Sequence, residues 1–533
     1  MIFFLNLSVM NIIKYFFISK QLKKIFDIKK KKSKNIILLE HFNYYPSVIG
    51  FGYFLKVLTN RKNARVVCYN PKINSFLIKQ CKKFYSNFSI IYKLLKIIGV
   101  SEFLYVERII PKKILDNELA IITSHIKTKH DVIRLKCFGV YVGEQLYDEY
   151  LRIYNKTEVD VNDINFRNLL IEMITIIYYW KNYFSNNIVK SVIISHPVYF
   201  LGLIARVAIM FNVPVYNVAA QNFFLITKKN FSKHSCCKKF SSTFKKISKN
   251  KIFFIKSSEK KLMSRFKGKK DEKALLDQEV GKKLFDRSAS FVKIIKDQKK
   301  INILVAAHCF SDAVHAYGKF FYTDFNDWLD FLGRVSYNSK YQFYIKIHPA
   351  EYDLNYEHFL KFKSKYNLII IPKEVITSHV LKEKFDCVLT AYGSVGHEFP
   401  LYNIPVVNAS NNGPHSDYDF NINPKNKKHY EKIILNLKKN KFKINSSIKN
   451  KIFEFYFMRY LSSYSLLDNW SYYISKLKNK YNSIEIIRLF LKNLDRKSHE
   501  RKLLDVDSFI KSKSLRLVAD NSKQVSKLLT CID

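Results

Sequence analysis

Short apolar runs separated by amphipathic stretches set the pattern of this chain. In the first half the runs are Asn35–Glu40, Arg65–Tyr69, Glu102–Val106, Ala120–Thr123, Ser191–Ser195 and Val215–Val218. In the second they are Ile301–Ala307, Tyr341–Ile347, Leu368–Ile371, Asp386–Thr390 and Ile404–Asn408. Their length and near-continuous apolar character are those of strands buried on both faces. Helical stretches are expected from about Ser47, over Ile73–Ile98, Gly139–Arg152, Phe166–Phe184 and Phe200–Phe211. Strands alternating with helices predict parallel sheets, whose ligand crevice lies beyond the carboxyl ends of the strands. The expected fold is α/β: two doubly wound, Rossmann-type units facing a central cleft, with extra helices at the C-terminus.

The residues that close these strands carry the candidate chemistry. Tyr341–Ile347 stops at His348-Pro349, where proline ends the ladder. Lys346 alternates with Ile345 and Ile347, so it faces either water or the crevice. After Asp386–Thr390 comes the loop Ala391-Tyr392-Gly393-Ser394-Val395-Gly396, where a helix should open and carry His397 and Glu398. Backbone N–H groups at such a start attract anions, and glycine permits close approach. Glu398 has a plainer alternative as a first-turn acid meeting the helix dipole. Asp312 and His315 belong to the loop CFSDAVHA, where Asp312 serves either the crevice or an Asx turn.

In the first half, Glu40 closes one strand and His196-Pro197 follows another. The two His-Pro pairs, about 150 residues apart, predict two similar units. Gly139–Arg152 places Glu144, Asp148 and Arg152 on one helical face, which by spacing alone reads as a solvated charge ladder.

Length and charge add boundaries and partners. A chain of 533 residues accommodates two core-bearing units and more. The expected division is a basic segment 1–34, a first unit 35–227, a lysine-rich connection 228–300, a second unit 301–425 and a basic helical region 426–533. A hydrophobic fraction of 48% excludes a mainly disordered protein. The net charge of +47 favours anionic partners, although abundant Lys, Ile, Asn, Phe and Tyr also fit a low-GC genome. Lysine is spread throughout and no RRM, KH or helix-turn-helix signature is present, so nucleic acid is not an expected partner. Met1–Ile18 is interrupted by Asn6, Asn11 and Lys14. With the lysines that follow, it reads either as a basic helix on an anionic membrane surface or as a poorly ordered terminus. The eight cysteines show no paired CxxC spacing, so neither a zinc cluster nor a disulfide framework is expected and a reducing cytosol is. The expected place of work is the cytoplasm, peripheral on the inner face of the cytoplasmic membrane.

AAHCFSDAVHAYGKFFYTDFNDWL, YIKIHPAE and YGSVGHEFPLYNIPVV together resemble bacterial capsule and surface-polysaccharide biosynthesis proteins of the GT-B glycosyltransferase type. GVYVGEQLYDEYLR resembles the tyrosine-aspartate motif in their N-terminal half. The KxHP and GSxxxE elements are also similar to those of Kdo, sialic-acid and glycerophosphate transferases and of UDP-GlcNAc 2-epimerase-like enzymes. The resemblance implies a nucleotide-sugar donor held by Lys346, His348, Gly393, Ser394, Gly396 and Glu398, with Asp312 and His315 beside them. It implies a glycan or lipid-linked acceptor held by the first unit. Transfer needs a base for the acceptor hydroxyl, and Asp148, Glu40 and His196 are the candidates. Lys346, His348 and the Gly-Ser loop would stabilise the leaving phosphate, so neither a metal nor a further cofactor is required. A nucleotide-sugar epimerase and a non-catalytic polysaccharide-assembly protein are the alternatives.

Overall fold

The computed structural model describes residues 9–74, 80, 89–107, 109–218, 223–229, 231, 240–247, 251–267, 293–316, 318, 320–351, 354–411, 413–461, 466–467, 473, 476–477 and 482–517. The start of the basic N-terminal segment, most of the lysine-rich connection with Cys236-Cys237, and the chain beyond residue 517 lie outside them.

The apolar runs form strands β1 Asn35–Glu40, β2 Arg65–Asn74, β3 Val100–Glu107, β4 Lys136–Cys137, β5 Val140–Tyr141, β6 Ile188–Ile194, β7 Val215–Val218 and β8 Phe223–Ile226. The second half supplies β9 Ile301–Ala306, β10 Tyr341–Lys346, β11 Leu368–Ile370, β12 Cys387–Thr390 and β13 Val406–Asn408. Two large sheets result, ordered β3-β2-β1-β6-β7-β8 and β11-β10-β9-β12-β13, with β4 and β5 forming a separate hairpin. All pairs in the second sheet are parallel, as are those of the first except β7 with β8. The outer strand β8 is bordered by the chain at Leu515–Leu517, which exchanges backbone hydrogen bonds with Phe223 and Leu225. That covers an edge otherwise open to pairing with another chain.

Both sheets are doubly wound in the same order. A central strand (β1 or β9) is followed by two strands outward on one side, and then by strands on the other. Successive side chains of a strand point to opposite faces. In β1, Ile36 and Leu38 therefore belong to the core that the helix Ile164–Asn186 helps to build, while Ile37 and Leu39 belong to the one on the Ser47–Lys62 side. On the latter face the helices Val9–Phe26, Ile484–Asn493 and Arg496–Ser512 complete a second core through Leu22, Phe26, Ile487 and Phe509. The C-terminal region thus packs across the first sheet, while Ser446–Tyr456 packs on the connection helices Phe240–Ile247 and Lys251–Phe266. Among the described residues no helix is long and apolar enough to cross a membrane.

Three expectations need correction. Ala120–Thr123 is not a strand but part of the helix Lys112–His125, because Leu115, Leu119 and Ile122 recur at helical spacing and face the core. The Glu144, Asp148, Arg152 set is not an intrahelical ladder. Glu144 pairs with Arg206 at 2.5 Å, Asp148 is buried, and the Arg152 guanidinium lies 4.3 Å from the Tyr199 ring centre. The two His-Pro pairs are not equivalent either: His196 follows β6, whose counterpart in the second sheet is β12, whereas His348 follows β10.

Candidate functional site

In each sheet the crevice opens where the chain reverses its direction of winding, between β1 and β6 and between β9 and β12. At the second of these points three strand ends converge. His308 and Cys309 follow β9, Lys346 closes β10 with His348 just beyond, and Thr390 closes β12 with Tyr392, Gly393 and Ser394 after it. Together with Asp312 and Glu398 they line one cleft of about 380 Å³. Six of the residues expected to hold a donor are therefore its neighbours: Asp312, Lys346, His348, Gly393, Ser394 and Glu398.

Each has an identifiable local state. Lys346 donates from Nζ to the Val375 carbonyl at 2.6 Å, and burial pulls its ammonium down to about 8. Ser394 precedes the short helix Val395–Glu398 without spending its hydroxyl on a cap. The Glu398 carboxylate is buried and lies 3.3 Å from the Arg265 guanidinium. Gly396 stands behind the wall: a Cβ there would lie 2.6 Å from the His415 imidazole, so its role is close packing of the helix. His415 in turn meets His397 at 3.1 Å, and burial drives both imidazoles to their neutral forms.

His315 is elsewhere. Its Nδ1 lies 2.7 Å from Asp148 Oδ1, its backbone N–H donates to the same carboxylate, and its Nε2 donates to the Thr323 carbonyl at 2.9 Å. With both ring nitrogens donating, the imidazole is an imidazolium, held up to about 9 by the carboxylate against the cost of burial. The pair joins the helix Gly143–Tyr154 of the first unit to the CFSDAVHA loop of the second. Next to it Tyr199 donates to Asp312 at 3.0 Å and Tyr147 donates to Asp324. The acids Glu158, Asp324 and Asp327 are spaced closely enough to ligate a cation, and Lys129 Nζ lies 2.6, 3.0 and 2.7 Å from them.

Glu40 and His196 meet at the first winding reversal, away from the cleft. The Glu40 carboxyl accepts from the Ser195 N–H at 2.6 Å and from its hydroxyl at 2.8 Å, and His196 Nδ1 is 3.0 Å from that hydroxyl. Complete burial pushes Glu40 up to about 7 despite these donors. A carboxyl that ionises at 7 when folded and 4.5 when unfolded contributes stability below about pH 4.5. That contribution is lost as pH rises through 7 and amounts to about 3 kcal/mol. Glu40→Gln is therefore expected to raise the urea midpoint at about pH 8.5 and to change it little at about pH 4, in paired denaturation curves.

Several lining residues lacked a readable signal. Arg265 comes from the connection helix, and Arg459 and Tyr460 from a π-helical segment, Phe457–Leu461. Such segments are frequent at functional sites, but their sequence reads as aromatic core. His308 was legible in principle: it follows an apolar strand just as His348 does.

No family model and no curated protein matches the chain. Among solved structures it is similar to the UDP-GlcNAc 2-epimerase of Methanocaldococcus jannaschii, at 13% identity over 78% of this chain and 98% of that one, with a TM-score of 0.21. It is also similar to MurG of Acinetobacter baumannii, at 8% identity over 89% and 100% of the two chains and a TM-score of 0.21. A glycosyltransferase of Rickettsia africae gives 10% identity, 91% and 100% coverage and a TM-score of 0.21. At scores this low the similarity adds no weight, and the strand order and strand ends are what speak for the fold.

Proposed function

We propose that the chain is a nucleotide-sugar-dependent glycosyltransferase, holding its donor in the cleft of the second sheet. The observation that supports this is the meeting of Lys346, His348, the Gly393-Ser394 turn and Glu398 around one crevice at a winding reversal. Lysine, an imidazole and a serine hydroxyl suit a phosphate leaving group, and a carboxylate suits ribose hydroxyls. Of the acceptor-side candidates, Asp148 is committed to His315 and the buried Glu40 to Ser195, which leaves the half-buried His196 as the base in this reading. The acceptor in this reading is a growing surface glycan, of capsule or lipopolysaccharide type, reached at the inner membrane face. The sequence motifs and the charge of +47 support that part.

Thermal-shift measurements with CMP, CDP, UDP and GDP and their sugar conjugates test the reading. One nucleotide class is expected to stabilise the protein, and His348→Ala to abolish that shift without lowering the unliganded transition. No shift with any nucleotide would sink the proposal. Conversion of a UDP-sugar to its epimer without acceptor would replace transfer by epimerisation.

A further inference from the structure

We propose that His308 presents a fixed, neutral N–H donor to the anionic group of the ligand in this cleft. The inference rests on reading the cleft as a nucleotide site, and it assigns a contact to a side chain not among those that suggested that reading.

The tautomer follows from what surrounds Nε2. The Ala391 and Tyr392 backbone N–H groups both donate to this atom at 3.2 Å. The Thr390 hydroxyl lies 3.1 Å away, and its oxygen already accepts from the Gly393 N–H at 3.1 Å. With the two backbone N–H groups already fixing Nε2 as the acceptor, the hydroxyl donates to it as well. Three donors facing one nitrogen leave no room for a proton on it, so in the neutral ring the proton sits on Nδ1.

Nδ1 makes no hydrogen bond among the described residues, and the ring is only half-buried. The ring lines the cleft, with Cε1 toward Gly393 and its face stacked on Phe325 at 5.0 Å. Packing thus fixes the ring, the loop fixes the tautomer, and one N–H is left for the cleft. Burial and the neighbouring His348 push the imidazole down to about 3, which agrees with a ring that stays uncharged.

The chemical consequence is a division of labour. Lys346 offers charge, whereas His308 offers direction without charge. A phosphate oxygen seated by Gly393 would receive this N–H, while the N–H groups of Ala391, Tyr392 and Gly393 stay engaged within the loop. Because the same imidazole accepts from the loop, ligand contact and loop shape depend on one side chain.

Two substitutions separate these roles. His308→Gln can place its amide oxygen near Nε2 and keep the loop's donors satisfied, but it has no donor at Nδ1. His308→Asn places an amide nitrogen near Nδ1 and cannot reach the loop. Binding is measured by calorimetry with UDP, CDP, CMP, GDP and inorganic pyrophosphate, and the tautomer by nitrogen-15 NMR of labelled histidine. Expected are an Nδ1–H tautomer, binding weakened roughly 10- to 100-fold in His308→Gln with an unchanged unfolding transition, and a lowered transition in His308→Asn. An Nε2–H tautomer, or His308→Gln binding as tightly as the parent, overturns the inference. If no nucleotide binds but pyrophosphate does, and His308→Gln loses it, the nucleotide reading falls and the His308 contact stands. If nothing binds, both fall.

Discussion

Replacing Asp148 by alanine is expected to cost about 3–5 kcal/mol of stability, read from the urea midpoint. The reason is the company Asp148 keeps. Its carboxylate is buried and is the counter-charge to a His315 imidazolium whose other nitrogen is committed to a backbone carbonyl. Truncation strands a buried cation, which must either lose its proton or remain unpaired. Exchanging both partners for apolar groups, as in Asp148→Leu with His315→Phe, is expected to recover most of the loss, since two desolvated charges roughly offset their own attraction. pH gives an independent check. His315 ionises near 9 when folded and near 6.5 when unfolded, so its own contribution is complete below about pH 6.5 and lost as pH rises through 9, while burial raises its partner Asp148 above the usual carboxylate range. Asp148→Ala should flatten that slope. A variant as stable as the parent but without turnover would instead make Asp148 the base that its motif suggests.

The case of Asp148 shows where the sequence stops being readable. The strand ends were legible because proline, glycine and a change of hydrophobic period mark them. β1 and β7 keep their expected bounds, and β9, β10 and β12 differ by a residue at one end. The cleft was legible for the same reason, since winding reversals convert strand ends into neighbours. What a helix face meets is not written at four-residue spacing. Asp148 and Arg152 share a face, yet one goes to a loop more than 160 residues away and the other to Tyr199. Arg265 and Arg459 reach the cleft from segments whose composition speaks only of lysine-rich connection and aromatic core. Tertiary placement, not local pattern, makes them part of the site.

Glu398 separates two accounts of the cleft by the sign of a single effect. Its carboxylate lies against Arg265 at 3.3 Å, with both side chains largely removed from water. If it also receives ribose hydroxyls, Glu398→Gln is expected to weaken a ribonucleotide about 10- to 100-fold, the worth of a hydrogen bond to a buried charge. The matching 2′-deoxynucleotide should then lose much less, because the carboxylate had less to accept from it. If the carboxylate serves only to neutralise Arg265, the same substitution adds net positive charge to the cleft. Every anionic nucleotide should then bind more tightly, whatever its sugar. Titrating UDP and dUDP, or the corresponding pair for whichever base the protein prefers, into parent and variant distinguishes the two. A loss confined to the ribose form assigns Glu398 to the sugar, and a uniform gain assigns it to the arginine.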